Sequence, residues 1–209
     1  MINLRVVDIY HEDKVSSFQK AAESGLWGVI HKATTGAGGK DDKYSSRREA
    51  ATDAGLLWGA YHWGTKADVA AQVHHFLEYA NPDQSTLVAL DFERSGDNTM
   101  TLDHAREFLK LIDQKLGRKA VIYSGELIKV GLGDNKDSFF GAHRLWLAHY
   151  NAHPKVHKRW EKYWLWQYAD RTSGLEPNTV PGIPGDAEGN LDCNAYDGTH
   201  EQLKAAWAS

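Results

Sequence analysis

Eight short apolar segments, alternating at first with stretches of helical spacing, constrain this chain more than any other feature. They lie at residues 5–10, 27–33, 56–63, 87–93, 119–124, 144–150, 163–168 and 191–196. Short runs of this composition, with little polar alternation, suit strands covered on both faces. Between the early strands, at 14–23, 43–54, 67–79 and 102–116, apolar residues recur on one helical face. In the last of these Leu102, Ala105, Phe108, Leu109, Ile112 and Leu116 share a side, and Thr99 or Thr101 can cap it. Strand–helix–strand succession predicts parallel strands joined by crossover helices. About eight such strands predict an α/β fold, an irregular and flattened β/α barrel, with an open doubly wound sheet as the competing arrangement. The rhythm breaks late: little room for a helix remains between 144 and 168, and 177–189 is rich in Gly and Pro. Long loops are expected there. No repeat, low-complexity tract or linker interrupts the chain, so residues 1–209 read as a single domain.

Bulk properties remove several function classes. A hydrophobic fraction of 42% over 209 residues can form one substantial core. The net charge of −4, with scattered Lys and Arg, gives no basis for a nucleic-acid partner or an acidic membrane surface. No apolar run is long enough for membrane insertion. The first residues read as a strand rather than a leader, which predicts synthesis in the cytoplasm without a signal peptide. Cys193 is the only cysteine, so no internal disulfide is expected. Eight Trp and nine Tyr exceed what a chain of this size ordinarily holds; core packing is their common use, and stacking on sugar rings is the other.

In parallel α/β folds the working residues stand at strand C-terminal ends. Here those ends present Asp8, then Tyr61-His62-Trp63, then Asp91 and Glu93, Tyr123, Trp146 and Tyr150, Trp166 and Gln167, and finally Asp192 and Asn194. Asp91-Phe92-Glu93 is the strongest element. Residues two apart on a strand share a face, with bases roughly 7 Å apart at ~3.3 Å rise per residue. Two carboxyl groups so placed suit glycosidic cleavage, and neighbouring acids raise the proton affinity of one of them. The plain alternative is two solvated acids at a strand end.

Other patterns are weaker. Thr35-Gly-Ala-Gly-Gly-Lys40 lacks the phosphate-loop spacing and reads as a loop. His149, His153 and His157 have helical spacing, but Pro154 interrupts them, so no metal site is expected. His62 either orients a sugar hydroxyl or is a buried, hydrogen-bonded histidine. Cys193 reads as buried and inert.

Taken in order, these pieces resemble a known family. Val7-Asp8-Ile9, Ile30–Thr34, Ala54-Gly55-Leu56, Gly59–Trp63, Leu90–Glu93, Val121–Tyr123, Leu145–Tyr150, Trp166–Tyr168 and Asp192-Cys193-Asn194 follow the pattern of glycoside hydrolase family 25 lysozymes. These are the Chalaropsis-type N-acetylmuramidases of bacteria, fungi and phage endolysins. The resemblance implies cleavage of the β-1,4 bond between N-acetylmuramic acid and N-acetylglucosamine in peptidoglycan, with net retention and no cofactor. It implies Glu93 as general acid/base, and Asp91 as nucleophile or as the group orienting the substrate N-acetyl. Asp8 and Asp192 would flank the pair, Tyr61, Tyr123, Trp146, Tyr150 and Gln167 would line the groove, and His62 and Asn194 complete the supporting set. The chain departs from the family at Ile9–Asp13, where Trp-Gln is common after the first Asp, and at Thr35, where Glu is common. Both changes lie on groove edges.

Two other readings compete. A chitinase-like hydrolase would need a longer acidic run, but Thr86, Leu87 and Ala89 precede Asp91. A non-catalytic glycan-binding barrel would not need both acids. The expected partner is therefore the peptidoglycan glycan strand, met by a monomer after release through a holin or a secretion machine.

Overall fold

The computed structural model describes residues 2–170 and 172–209. Eight strands close a barrel: β1 (Leu4–Ile9), β2 (Gly28–Thr35), β4 (Leu57–Trp63), β5 (Leu87–Asp91), β6 (Val121–Ser124), β7 (Leu145–Ala148), β8 (Leu165–Ala169) and β9 (Asp192–Ala195). A two-residue strand, β3 (Gly39–Lys40), hangs from β2 as a hairpin. β1 pairs in parallel with β2, and the parallel run continues through β4, β5, β6, β7 and β8. β9 closes the ring antiparallel to both β8 and β1. The barrel is thus mixed, and eight-stranded as its apolar runs predict.

Helices α1 (Phe18–Glu23), α2 (Tyr44–Asp53), α3 (Val69–Ala80) and α4 (Leu102–Leu116) are the crossovers among the early strands. α4 has the predicted bounds: the Thr101 side chain accepts from His104 N, and Gly117 ends it in the left-handed region that glycine adopts without strain. α1 starts later than the apolar pattern suggests, because Lys14 and Ser16 give their backbone N–H groups to Gly185 and Gly182. Ser17 then caps the helix. Three helices lie outside the predicted set: α5 (Glu126–Leu132), α6 (Ser138–Gly141) and α7 (His200–Trp207). Among the described residues, 149–164, 170 and 172–191 hold no helix, as the late break in rhythm predicts. No helix among the described residues is long and apolar enough to cross a membrane.

The period of two along each strand divides the core. Outward residues such as Val7, Val29, Val88, Leu90, Ile122 and Leu147 pack beneath the helices. Inward residues Val6, Ile30, Leu87, Ala89, Val121 and Leu165 fill the barrel, where Leu203 and Trp207 of α7 join them. The Trp207 indole N–H donates to Trp58 O at 2.7 Å, and its ring meets Gly28, which opens β2. α7 therefore plugs the N-terminal end of the barrel. The other end is left for Tyr61, Tyr123 and Trp146, the next inward layer.

Candidate active site

At the strand C-terminal ends the inward side chains surround a cavity of about 450 Å³. Nine of the residues proposed from sequence line it: Asp8, Tyr61, Asp91, Glu93, Tyr123, Trp146, Tyr150, Gln167 and Asp192. Tyr10, Lys32, Trp63, Asp170 and Thr172 also line it and were missed as site residues. Three had a readable signal, since Tyr10 and Trp63 end strands and Lys32 falls two residues after the inward Ile30. Asp170 and Thr172 sit in the loop after β8, where no periodicity marks them.

The strand of the acid pair ends at Asp91 rather than Glu93, yet its geometry runs on. Phe92 N donates to Tyr123 O at 2.9 Å, and the Phe92 ring is buried in the outer core. That anchoring turns Asp91 and Glu93 to the same side, into the cavity. Gly64 N reaches Asp91 O at 3.0 Å from the neighbouring strand end. A Cβ at Gly64 would stand 2.8 Å from the tip of the Met100 side chain and 3.2 Å from Asp91 O, so a larger residue there would crowd this approach and make Met100 shift.

The floor is one hydrogen-bonded network spanning five strands. The Gln167 amide nitrogen donates to both Asp8 carboxylate oxygens at 3.0 Å. The Gln167 carbonyl accepts from Tyr123 OH at 2.7 Å and Tyr150 OH at 2.9 Å. The Asn194 amide nitrogen donates to Asp8 at 2.7 Å, while its carbonyl accepts from the Trp146 indole at 2.6 Å. With both amide groups committed, each orientation is determined. Such a network holds the Asp8 carboxylate and the aromatic rings rigidly below the acid pair. Lys32 lies above the Trp63 ring at 4.6 Å and the Tyr10 ring at 5.4 Å.

Proton affinities follow from this crowding. Burial and then Asp8 push Glu93 up to about 7, against the partial relief of Lys32. Burial, Glu93, Asp8 and Asp192 push Asp91 up as well. Near neutrality such a pair retains a proton that two solvated carboxyls would lose. Asp91 Oδ1 is buried with no hydrogen-bond partner among the described residues, an acceptor left open in a residue that lines the cavity. Tyr61 and Tyr123 are pushed far up by burial and remain neutral donors.

Two supporting residues sit elsewhere. His62 is outside the cavity: Tyr61 and Trp63 face in, so the residue between them faces out. Its ring bonds Thr34 at 2.7 Å and Gln72 at 3.1 Å and stacks on Phe108. This corrects the groove role and leaves the buried, hydrogen-bonded alternative. Asn194 lies beneath the cavity and acts on it through Asp8. Cys193 is buried on the outer face. Thr35 ends β2, and residues 36–40 form the turn and short strand that follow it. His157 bonds Gly133 O at 2.8 Å and His149 bonds Asn151 at 3.0 Å, so the three loop histidines do not converge on one point. Among the described residues no cluster suited to a metal ion occurs.

Known proteins resemble this chain in sequence and in fold. The model of the family Glycosyl hydrolases family 25 matches residues 7–176. The uncharacterized protein YegX of Escherichia coli O157:H7 is 30% identical over 178 residues, covering 83% of this chain and 60% of that protein. This chain thus spans about three fifths of the length of that relative. Lysozyme M1 of Streptomyces globisporus is 23% identical over 95% of this chain and 69% of its own. In fold, the bacterial lysozyme from Streptomyces coelicolor superposes with a TM-score of 0.82 at 23% identity, covering 99% of this chain and 97% of that one.

Proposed function

The chain belongs to glycosyl hydrolase family 25, and from that premise we propose that it is a muramidase acting on bacterial peptidoglycan. The reaction is hydrolysis of the β-1,4 bond from N-acetylmuramic acid to N-acetylglucosamine, with net retention. The observation that supports it most is an acid pair, buried Asp91 and half-buried Glu93, in an acid-lined and aromatic-floored cavity, with Glu93 pushed up to about 7. A carboxylic acid that keeps its proton near neutrality can protonate a leaving glycosidic oxygen.

Glu93 is the general acid/base. In the first step its proton passes to the glycosidic oxygen as the substrate's own N-acetyl carbonyl oxygen bonds to the anomeric carbon, and the C–O bond to the leaving sugar breaks. In the second step ionised Glu93 takes a proton from water, whose oxygen attacks the anomeric carbon and expels the N-acetyl oxygen. Two inversions give net retention, an exception to the two-carboxylate covalent scheme. Asp91 orients the N-acetyl group. Its unsatisfied Oδ1 suits the acetamido N–H, and that bond, with the cationic ring forming beside it, favours the ionised form and leaves the proton on Glu93. Asp8 and Asp192 flank the pair, and Tyr61, Tyr123, Trp146, Tyr150 and Gln167 shape the groove. The wall is reached after release through a holin or a secretion machine.

Borohydride reduction of a wall digest tests the bond specificity, and proton NMR of the first-formed anomer tests the stereochemistry. Muramicitol ends and an initial β-anomer are expected. Glucosaminitol ends would refute the muramidase reading, and an initial α-anomer would refute retention.

A further inference from the structure

A second cavity of about 440 Å³ opens beside the first, and the two share Glu93 and Tyr150. Its other walls come from Arg94, the segment running from Gly125 to Lys129, and the end of β7. The charge balance of the two differs. Among the described residues the first is lined by the carboxylates of Asp8, Asp91, Glu93, Asp170 and Asp192 against the single amine of Lys32. Among the described residues the second presents Arg94 and Lys129, with Glu126 the only carboxylate besides the shared Glu93.

Neither cation is consumed by the fold. Lys129 Nζ stands 3.9 Å from Glu126, outside hydrogen-bond reach, and the Glu126 side chain is 73% exposed, so the pairing is loose. Arg94 is exposed and makes no salt bridge among the described residues.

We propose that the second cavity receives the leaving portion of the glycan and that Arg94 and Lys129 select strands bearing carboxylates there. This rests on the muramidase reading. A proton donor acts on the oxygen between two sugars, so the sugars must flank it, and Glu93 stands in the wall between two cavities of similar size. The acid-rich cavity suits the sugar whose anomeric carbon becomes cationic. The other faces the departing chain, which starts with a neutral glucosamine unit and continues with a muramic unit. That unit bears a lactyl carboxylate, free or extended by a peptide stem with carboxylates of its own. An arginine fork and a lysine ammonium supply charge-assisted contacts to either source.

The test compares native protein with Arg94→Gln/Lys129→Gln on three substrates: peptidyl glycan strands, strands stripped by an amidase to leave lactyl carboxylates, and stripped strands with the carboxyls reduced to alcohols. The ratio of variant to native kcat/KM should be about three- to tenfold lower on carboxylated strands than on reduced ones, the range expected of two partly exposed charge contacts. A deficit on stripped strands alone assigns the contact to the free lactyl carboxylate, a deficit on peptidyl strands alone assigns it to the stem carboxylates, and a deficit on both shows that either source is accepted. Equal ratios on all three overturn the proposal. Inability of the native protein to cleave any strand would instead defeat the muramidase reading itself. Strand affinity of Glu93→Gln, with and without Arg94→Gln, gives a second measure. Arg94→Gln should weaken binding and flatten its salt dependence, and unchanged values would contradict the inference.

Discussion

Glu93 takes its chemistry from its neighbours rather than from its own bonds. An isolated Glu ionises near 4.5, and burial beside Asp8 moves this one to about 7. The acid form needed for protonation therefore survives to neutrality and disappears above it. We expect kcat/KM on glycan strands to fall tenfold per pH unit on the alkaline side, with an apparent pKa near 7 for the free enzyme. A rate still climbing at alkaline pH would exclude a carboxylic donor. At this scale much of the site was legible in sequence, because Asp91, Glu93, Asp8 and the aromatic strand ends obey a period of two. The same rule resolves His62, since a strand cannot aim Tyr61, His62 and Trp63 at one cavity. Asp170 and Thr172 were not legible, because a loop has no period and only tertiary folding brings it over the barrel mouth.

Among the elements, α4 and α7 mark the limits of pattern reading. α4 presents a long apolar stripe between a Thr cap and a Gly stop, and its bounds agree with the expectation. α7 buries only Leu203 and Trp207 in eight residues, too few to stand out as a stripe, although its Thr199–Gln202 capping box marks the start. The antiparallel direction of β9 leaves no trace in four residues either, since pairing is set by the long irregular segment 172–191 that precedes it. α7 is nonetheless the plug of the barrel. Trp207→Ala would remove a side chain only 1% exposed and orphan Trp58 O. Such truncations cost about 3–5 kcal/mol, which lowers Tm on the order of 10 °C for a domain this size. Thermal unfolding checks this, and a change within a degree or two would mean that α7 does not seal the core.

The molecule as a whole concentrates its acids where they repel. Folding raises the proton affinity of Glu93, so between about 4.5 and about 7 the folded chain holds a proton that the unfolded chain has released. Stability conferred by the protonated form is therefore lost as pH rises through that window, and the cost is constant above it. Asp113 and Asp137 act oppositely. Hydrogen bonds from His143 and Lys119 hold the first down and Arg106 holds the second down, so their contribution is lost in acid. Maximal stability should fall at mildly acidic pH. Glu93→Gln should unfold a few degrees higher than native protein at pH 8 and show little difference at pH 4; equal melting at pH 8 would show that the pair is not strained. That variant also carries the most direct test of the central claim, because it retains the shape of the site and removes only the proton donor. With native-like folding established by circular dichroism, clearance of a peptidoglycan suspension by Glu93→Gln should slow by about 10²–10⁴-fold. A folded Glu93→Gln that clears walls as fast as the native protein would contradict the assignment of Glu93 as the catalytic acid.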